Sequence, residues 1–587
     1  MNSETKNCQN CKQNFTVEPD DFDFYEKLKV PAPTFCPECR EIFRIAFRNE
    51  RALYKRKCDK CGKVVVSRVS PDKPYPMYCK ECWWGDGWDA MEYGREYDFS
   101  RPFFAQFKDL LFAVPAVSLL SHNVVNSDWV NQETDAKSCY LNVGGHFNEG
   151  CGYTTYAFKS HDCFDNFWII SGDKCCGNIM CERVYHVSFS EDCHDCRDVY
   201  LAFNCRNCSN CFGCAGLRNK QYCLWNEEVG KEAYENFLKT RPLASYTALS
   251  ENLNKAQEIW NASPHKALSI VKSADVSGNC IANSKNSHNV WSAEDIENSK
   301  HQYIVAWLKE CMDGSCYGWC ELCYQCASSV GLYSCKGVMF ALGSNAEKMH
   351  SSELEYCHTV VSCHNCFGCV GVRNKQYCIF NKQYTKEEYE EKRKKIIEHM
   401  AEMPYVDKKG RKHVYGDSFP IEISNYGYNE TVTMDYYPLT KEEAIERGYP
   451  WCDYEAETNA EFSEYAIPDD IKDVGDDILE KVLKCEVSGK PYRIIPMELQ
   501  FYRQMNISIP RKSPLVRHKE RMARLLPRKF FPRTCACNGS EPTTSGYKNT
   551  VKHAHVEGSC GSKFETAYST EREETIYCEA CYQAEIA

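Results

Sequence analysis

Four Cys-x2-Cys pairs open the chain: Cys8 and Cys11, Cys36 and Cys39, Cys58 and Cys61, Cys79 and Cys82. Each such turn sets two sulfurs on one side of a tight loop. Two turns together close the tetrahedral S4 shell that Zn(II) takes at about 2.3 Å. The eight cysteines fill two shells with none left over. A closed shell has no position for a reactive water, so the expected role is structural. A rubredoxin-like iron shell and a reduced cysteine core are the alternatives. Sequential pairing of the turns is the simplest arrangement, and interleaved pairing stays open. Near the other end, Cys535 and Cys537 with Cys578 and Cys581 suggest a third site, giving about three Zn(II) per chain. His553, His555 and Cys560 lie between those pairs as alternative ligands.

The end of the chain repeats its beginning, with decay. At an offset of 477 residues Cys8 falls on Cys485, Tyr25 on Tyr502, Pro37 on Pro514, Arg40 on Arg517, Arg44 on Arg521 and Cys58 on Cys535. Ser488, Ser513 and Val516 stand where the first shell has its other three cysteines. One site is therefore expected to be lost in the second copy. A fold that survives the loss uses the metal to hold shape, and Ile495, Leu499, Leu515 and Val516 could replace it by packing.

Both copies carry arginines at helical spacing. Arg40, Arg44, Arg48, Arg51 and Lys55 would line one helical face, and Arg517, Arg521, Arg524 and Arg528 another, which Pro527 would end early. Residues 485–538 hold 12 Lys/Arg against 3 Asp/Glu, whereas residues 417–480 hold 18 acidic and 3 basic residues. Two readings follow: a phosphate-binding stripe for RNA or DNA, or internal pairing and solvated faces.

The middle of the chain is duplicated at an offset of 155. Residues 208–235 and 363–390 share 18 of 28 positions, including the string RNKQYC. Thr385 and Glu388 predict a capping box at the start of the helix after the second copy. Cysteines also recur twelve apart, as in Cys139, Cys151, Cys163 and Cys175, in Cys181, Cys193 and Cys205, and in Cys311, Cys323 and Cys335. The stretches between are rich in Asn, Ser, Gly and aromatics. This pattern predicts short stacked strands of a β-solenoid, with small thiols inside narrow coils. Residues 273–300, with Asn279, Asn283, Asn286, Asn289 and Asn298, read as its polar coils. Extra zinc and iron–sulfur remain alternatives, because Cys205, Cys208, Cys211 and Cys214, the run Cys363, Cys366 and Cys369, and the set Cys316, Cys320 and Cys323 have cluster-like spacing.

No GxSxG, P-loop, HExxH or GxGxxG string occurs. His161, His186, His194, His288, His301, His350, His358 and His364 sit among the repeats, where a Cys–His nucleophile is conceivable but ligand and solvent-facing roles are commoner. Trp83, Trp84 and Trp88, followed by the aromatics up to Phe104, read as a packing collar rather than a base-stacking platform. With 40 Cys in 587 residues, a net charge of −11, no apolar span and a polar start, the chain is expected to be a reduced, multidomain cytoplasmic protein without a membrane segment.

The strings CQNCKQNFTVEPDDFDFYEKLKVPAPTFCPECR, CFGCVGVRNKQYCIFNKQYTKEEYE and FETAYSTEREETIYCEACYQAEI resemble those of uncharacterised cysteine-rich zinc-ribbon repeat proteins of uncultivated bacterial lineages. That resemblance implies zinc modules and no defined activity. The expected fold class is multidomain, mainly β with short helices, with zinc-ribbon-like modules at both ends flanking two Cys-rich β-solenoid repeats. Its parts are a double zinc-knuckle module (1–90), repeats with helical caps (91–240 and 241–400), an acidic linker region (401–484) and a degenerate zinc module (485–587). The expected function is a structural zinc-binding scaffold, with nucleic acid through the basic helices or a protein as partner. An iron–sulfur or metal-dependent enzyme is the rival, and no catalytic residue is assigned.

Overall fold

The computed structural model describes residues 2–315, 324–327, 332–333, 336–341, 351–454, 461–555 and 558–586. Cys316, Cys320, Cys323, Cys335 and His350 lie outside the described residues. The chain forms two compact units, each discontinuous in sequence: Met1–Leu120 with Ser269–Glu455, and Ser121–Leu268 with Ala456–Ala587. Sheets dominate both. The described residues include twelve α-helices of at most 17 residues, and no helix among them is long and apolar enough to cross a membrane.

In the second unit, residues 122–224 build four parallel ladders in which each residue pairs with the one twelve positions on. They run from Val125 to Gln221, from His122 to Arg218, from Asn131 to Ala215 and from Tyr140 to Leu224. The local cause is a left-handed residue at every third position. Asn204, Asn207, Asn210, Gly213, Gly216 and Asn219 take it in succession, and these are the residue types that tolerate positive φ best. Tyr153, Tyr156, Trp168 and Leu201 take it too, at about 1–2 kcal/mol each. The ladder hydrogen bonds and buried side chains must offset that cost.

Between Asn126 and Gly213 the residue after a left-handed one is buried. Cys151, Cys163, Cys175, Cys181, Cys193, Cys205, Cys208, Cys211 and Cys214 occupy such positions, all nearly inaccessible. The side-chain period is thus three, where a regular strand has two. The thiols lie against backbone oxygens to which they can donate: Cys151 Sγ lies 3.4 Å from both Glu149 O and Ser160 O, and Cys163 Sγ lies 3.2 Å from His161 O. Burial pushes the Cys163 and Cys181 thiols up, which keeps them as donors. Amide and hydroxyl side chains form a parallel column. Asn166 Oδ1 accepts from Asn178 N at 2.9 Å, Asn178 Oδ1 from Ser190 N at 2.9 Å, and Ser190 Oγ from Ala202 N at 3.0 Å.

The first unit contains a related sheet. Its first rungs pair at eleven residues, Ile270 with Ile281, and shift to twelve after an irregularity between Val276 and Gly278. Serine takes the inner acceptor role here: Ser287 Oγ accepts from Ser299 N, and Ser299 Oγ from Cys311 N, both at 3.2 Å. Asn283, Asn286, Asn289 and Asn298 are left-handed residues. Asn286 Nδ2 donates to Asn298 Oδ1, and Asn298 Nδ2 to Glu310 Oε1, both at 2.7 Å. Thr385 and Glu388 cap the helix Lys386–Glu402 reciprocally. Trp83, Phe103, Phe104 and Phe107 are buried, and Phe103 meets Phe367 and Phe380 with ring centroids 5.1 Å apart.

The acidic stretch departs from the linker expectation within the first unit. Tyr415, Phe419 and Ile423 are buried there, and Phe419 packs on Phe104, Phe107 and Tyr356. Alternating aromatics outweigh the charge of residues 415–428 and make that segment a packed element.

One inner position carries an acid. Glu133 is fully buried, one carboxylate oxygen accepts from Asn148 Nδ2 and the other has no hydrogen-bond partner among the described residues. Burial raises its pKa to about 8. A raised folded-state value favours the protonated acid. Its contribution to stability is therefore full below the ordinary carboxyl range and lost as pH rises through about 8. We expect the apparent Tm of Glu133→Gln to gain several degrees on the wild type between pH 5 and pH 8.5 as ~1 kcal/mol or more of that loss is removed. A Tm difference that stays constant across that range, followed by circular dichroism, would contradict it.

Candidate metal centres

The first centre grows from a turn and a helix start. Cys8 N donates to Gln13 O at 2.9 Å across a turn whose Lys12 is left-handed. Cys36 caps the helix Pro37–Ile45, which places Cys39 in its first turn, and Cys36 N donates to Cys8 Sγ at 3.3 Å. The four sulfurs of Cys8, Cys11, Cys36 and Cys39 lie within 4.8 Å of one another, with Cys11 and Cys36 3.7 Å apart. A tetrahedron with 2.3 Å metal–sulfur bonds has edges of about 3.8 Å. Asn10 Nδ2 donates to Cys39 Sγ at 3.2 Å, support suited to a thiolate. Contacts with Cys36 and Cys39 lower the Cys8 thiol, while contacts with Cys36 and Cys8, together with burial, raise Cys39.

The second centre repeats this construction. Cys58 N donates to Lys63 O at 2.8 Å, Gly62 takes φ +74°, and Cys79 N donates to Cys58 Sγ at 3.2 Å ahead of the helix Lys80–Trp84. Cys58, Cys61, Cys79 and Cys82 form the second group, with Cys61 and Cys79 3.8 Å apart. In both centres the turns associate in sequence order.

At the offset of 477 the backbone is the same while the ligands are not. Helices Pro19–Leu28 and Pro37–Ile45 correspond to Pro496–Met505 and Pro514–Arg524. Ser513 N donates to Cys485 Sγ at 3.2 Å, as Cys36 N does to Cys8. Burial raises the Cys485 thiol, but hydrogen bonds from Ser488 and Ser513 N win and bring it to about 6. Polar contacts to a single sulfur thus hold the loop where four sulfurs surround the first centre.

The other C-terminal set divides. Cys535, Cys578 and Cys581 gather with Cys560, whereas Cys537 faces His553 and His555 and meets the first group only through Cys581. Cys578 N donates to Cys535 Sγ at 3.2 Å, matching Cys79 and Cys58. The described residues therefore offer four groups able to hold an ion, one more than expected. Cys560, one of the alternative ligands, takes the place expected for Cys537. The readable signal is Cys560-Gly561, equivalent to Cys61-Gly62, with both glycines left-handed.

The described ladder cysteines join none of these groups. Their cluster-like spacing of three is the period of the buried position described above. Of the described histidines among them, several are paired or buried. His186 Nδ1 lies 2.7 Å from Asp198 Oδ1, and burial holds His301 at about 4 and His358 at about 3.

The arginines proposed for nucleic acid lie largely inside. Arg40 is 2% exposed and Arg44 0%; Arg40 forks onto Asp313 at 2.9 and 3.0 Å, with Arg44 at 3.7 Å from the same carboxylate. Arg517 and Arg521, 8% and 7% exposed, both bind Asp165. Arg517 also donates to Glu498 Oε1 at 3.0 Å and to Tyr502 OH at 2.7 Å. Asp313 and Asp165 are both left-handed ladder residues. Arg48 pairs with Glu50, Arg51 approaches Asp435 at 3.8 Å, Arg524 bonds Glu191 at 2.5 Å, and Arg528 is half-buried beyond the helix end. The single helical face through Lys55 does not form: its helix ends at Ile45, and Lys55 lies in the strand Tyr54–Lys57. Of the two readings of these charges, internal pairing describes their positions. A buried, paired guanidinium offers no contact to a phosphate backbone.

No protein-family model matches the chain, and no curated protein matches it.

Two outcomes are expected. Cys36→Ser lowers bound metal by one equivalent in elemental analysis, whereas Cys485→Ser leaves metal content unchanged. Asp165→Ala removes the carboxylate shared by two buried guanidinium groups and costs about 3–5 kcal/mol in denaturant unfolding; a loss below about 1 kcal/mol, the size of an exposed pair, would refute the buried clamp.

Proposed function

We propose that the protein is a zinc-clamped structural scaffold whose two ladder bodies are four-sided β-solenoids and whose partner is a protein. One observation carries this reading: at matched positions of the terminal copies, Arg40 with Arg44 and Arg517 with Arg521 turn inward onto a ladder aspartate. Arg40, Arg44, Arg517 and Arg521 act as clamps between helix and ladder and are removed from the surface on which a nucleic acid would lie.

Three further points support it. Four protein ligands per group saturate a tetrahedral ion, the pattern of a structural site. Sulfur-rich shells suit Zn(II), whose lack of redox chemistry fits a fold-holding role. The inner thiols satisfy backbone carbonyls, so they stabilise the coils as small hydrogen-bonding side chains.

Retention of the purified full chain on RNA and DNA columns tests the partner class. A stripe making 6–10 phosphate contacts loses about 10³–10⁵ in affinity between 50 and 200 mM salt. We expect weak retention with no such dependence, and a colourless preparation containing zinc. Steep salt-dependent retention would overturn the protein-scaffold reading in favour of nucleic acid. Visible iron–thiolate absorption would overturn zinc.

A further inference from the structure

The two C-terminal groups share one sulfur. Cys535, Cys560, Cys578 and Cys581 form one, and Cys537, His553, His555 and Cys581 form the other. Seven side chains would have to supply eight coordination positions for two tetrahedral ions. We propose that Cys581 is a bridging thiolate and that this end of the chain holds a binuclear metal centre. This deepens the structural-metal reading and rests on it.

Geometry supports both halves. Cys560 Sγ and Cys578 Sγ are 3.9 Å apart, close to the S4 tetrahedral edge of about 3.8 Å. On the other side, His555 Nε2 lies 3.3 Å from both Cys537 Sγ and Cys581 Sγ, and His553 Nδ1 lies 3.5 Å from Cys537 Sγ. A mixed nitrogen–sulfur edge around zinc is about 3.5 Å. If Cys581 served only the sulfur group, the other ion would have three protein ligands and an open position. If it served only the histidine group, the sulfur group would be left with three.

The surroundings are built for the second ion. His553 presents Nδ1 to the group, while its Nε2 lies 3.0 Å from Glu585 Oε2, and both side chains are buried. Glu585 Oε1 is held by Tyr547 OH at 2.9 Å, Thr550 N at 2.7 Å and Thr550 Oγ1 at 2.8 Å. A carboxylate behind a histidine fixes the tautomer and ring orientation a metal needs. Asn549 Nδ2 donates to Cys537 Sγ at 3.3 Å, as Asn10 does to Cys39 in the first centre.

The sequence origin is equally direct. Cys58 and Cys61 of the first copy are separated by Asp59 and Lys60; their counterparts Cys535 and Cys560 are separated by Ala536 and residues 537–559. The framing bonds persist, with Asp59 N donating to Met77 O and Ala536 N to Ile576 O, both at 2.9 Å. An insertion inside one metal turn thus brings Cys537, His553 and His555, and borrows its fourth ligand from the turn opposite.

The test is metal stoichiometry of the full chain, paired with ¹¹³Cd NMR of the cadmium-loaded wild type. We expect four equivalents in the wild type, three in His553→Ala/His555→Ala and two in Cys581→Ser. We also expect two C-terminal ¹¹³Cd resonances mutually split through the shared sulfur. Three equivalents in the wild type, no loss in the double-histidine variant, or two unsplit resonances would each overturn the bridge; the wild-type spectrum decides even if a variant misfolds. Cys11→Ser and Cys61→Ser report separately on the parent reading, since each should lose one equivalent whatever happens at Cys581.

Discussion

A left-handed residue at every third position is the constraint from which the ladder bodies follow. It fixes the side-chain period at three and commits one residue in three to the interior. Those interior positions take Cys, Ser, Asn, Ala and Val. Cysteine suits them because it is apolar in bulk and still offers a weak donor to the carbonyls around it. The strain of the bulky left-handed residues persists because hydrogen-bonded neighbours twelve residues before and after leave the chain no alternative.

The same side chain performs two kinds of chemistry, and spacing in three dimensions divides them. Where a tight turn faces a helix start, four ligand atoms converge to tetrahedral-edge distances. Along the ladders, thiols such as Cys163 and Cys211 instead find backbone oxygens within about 3.2–3.9 Å. The clamp arginines unite the two. Each grows from a terminal module helix and ends on a ladder aspartate, so loss of a metal in the second copy leaves the docking bonds in place.

Much of this was legible in the residues. The Cys-x2-Cys pairs, the twelve-residue recurrence, the offset of 477 and the Thr385 cap can be read directly, because each depends on local spacing. Three features were not. A spacing of three between cysteines has one form in a metal turn and in a ladder, so Cys205 to Cys214 could not be assigned by counting. Cys560 could be read only as one alternative ligand beside His553 and His555, because an insertion split its turn. The arginines were misleading because periodicity names a face without naming what covers it, and Asp165 stands 352 residues before Arg517.

That separation has a consequence for the order in which the protein is made. At roughly 5–20 residues per second, the ribosome needs on the order of 20–70 s to travel from Asp165 to Arg517. Throughout that interval the nascent first segment of the second unit carries an aspartate without the guanidinium groups that will enclose it, while the whole second ladder is being translated. Completion of this unit is therefore post-translational in character, and the early segment must remain soluble, reduced and correctly stacked until its distant counterpart emerges.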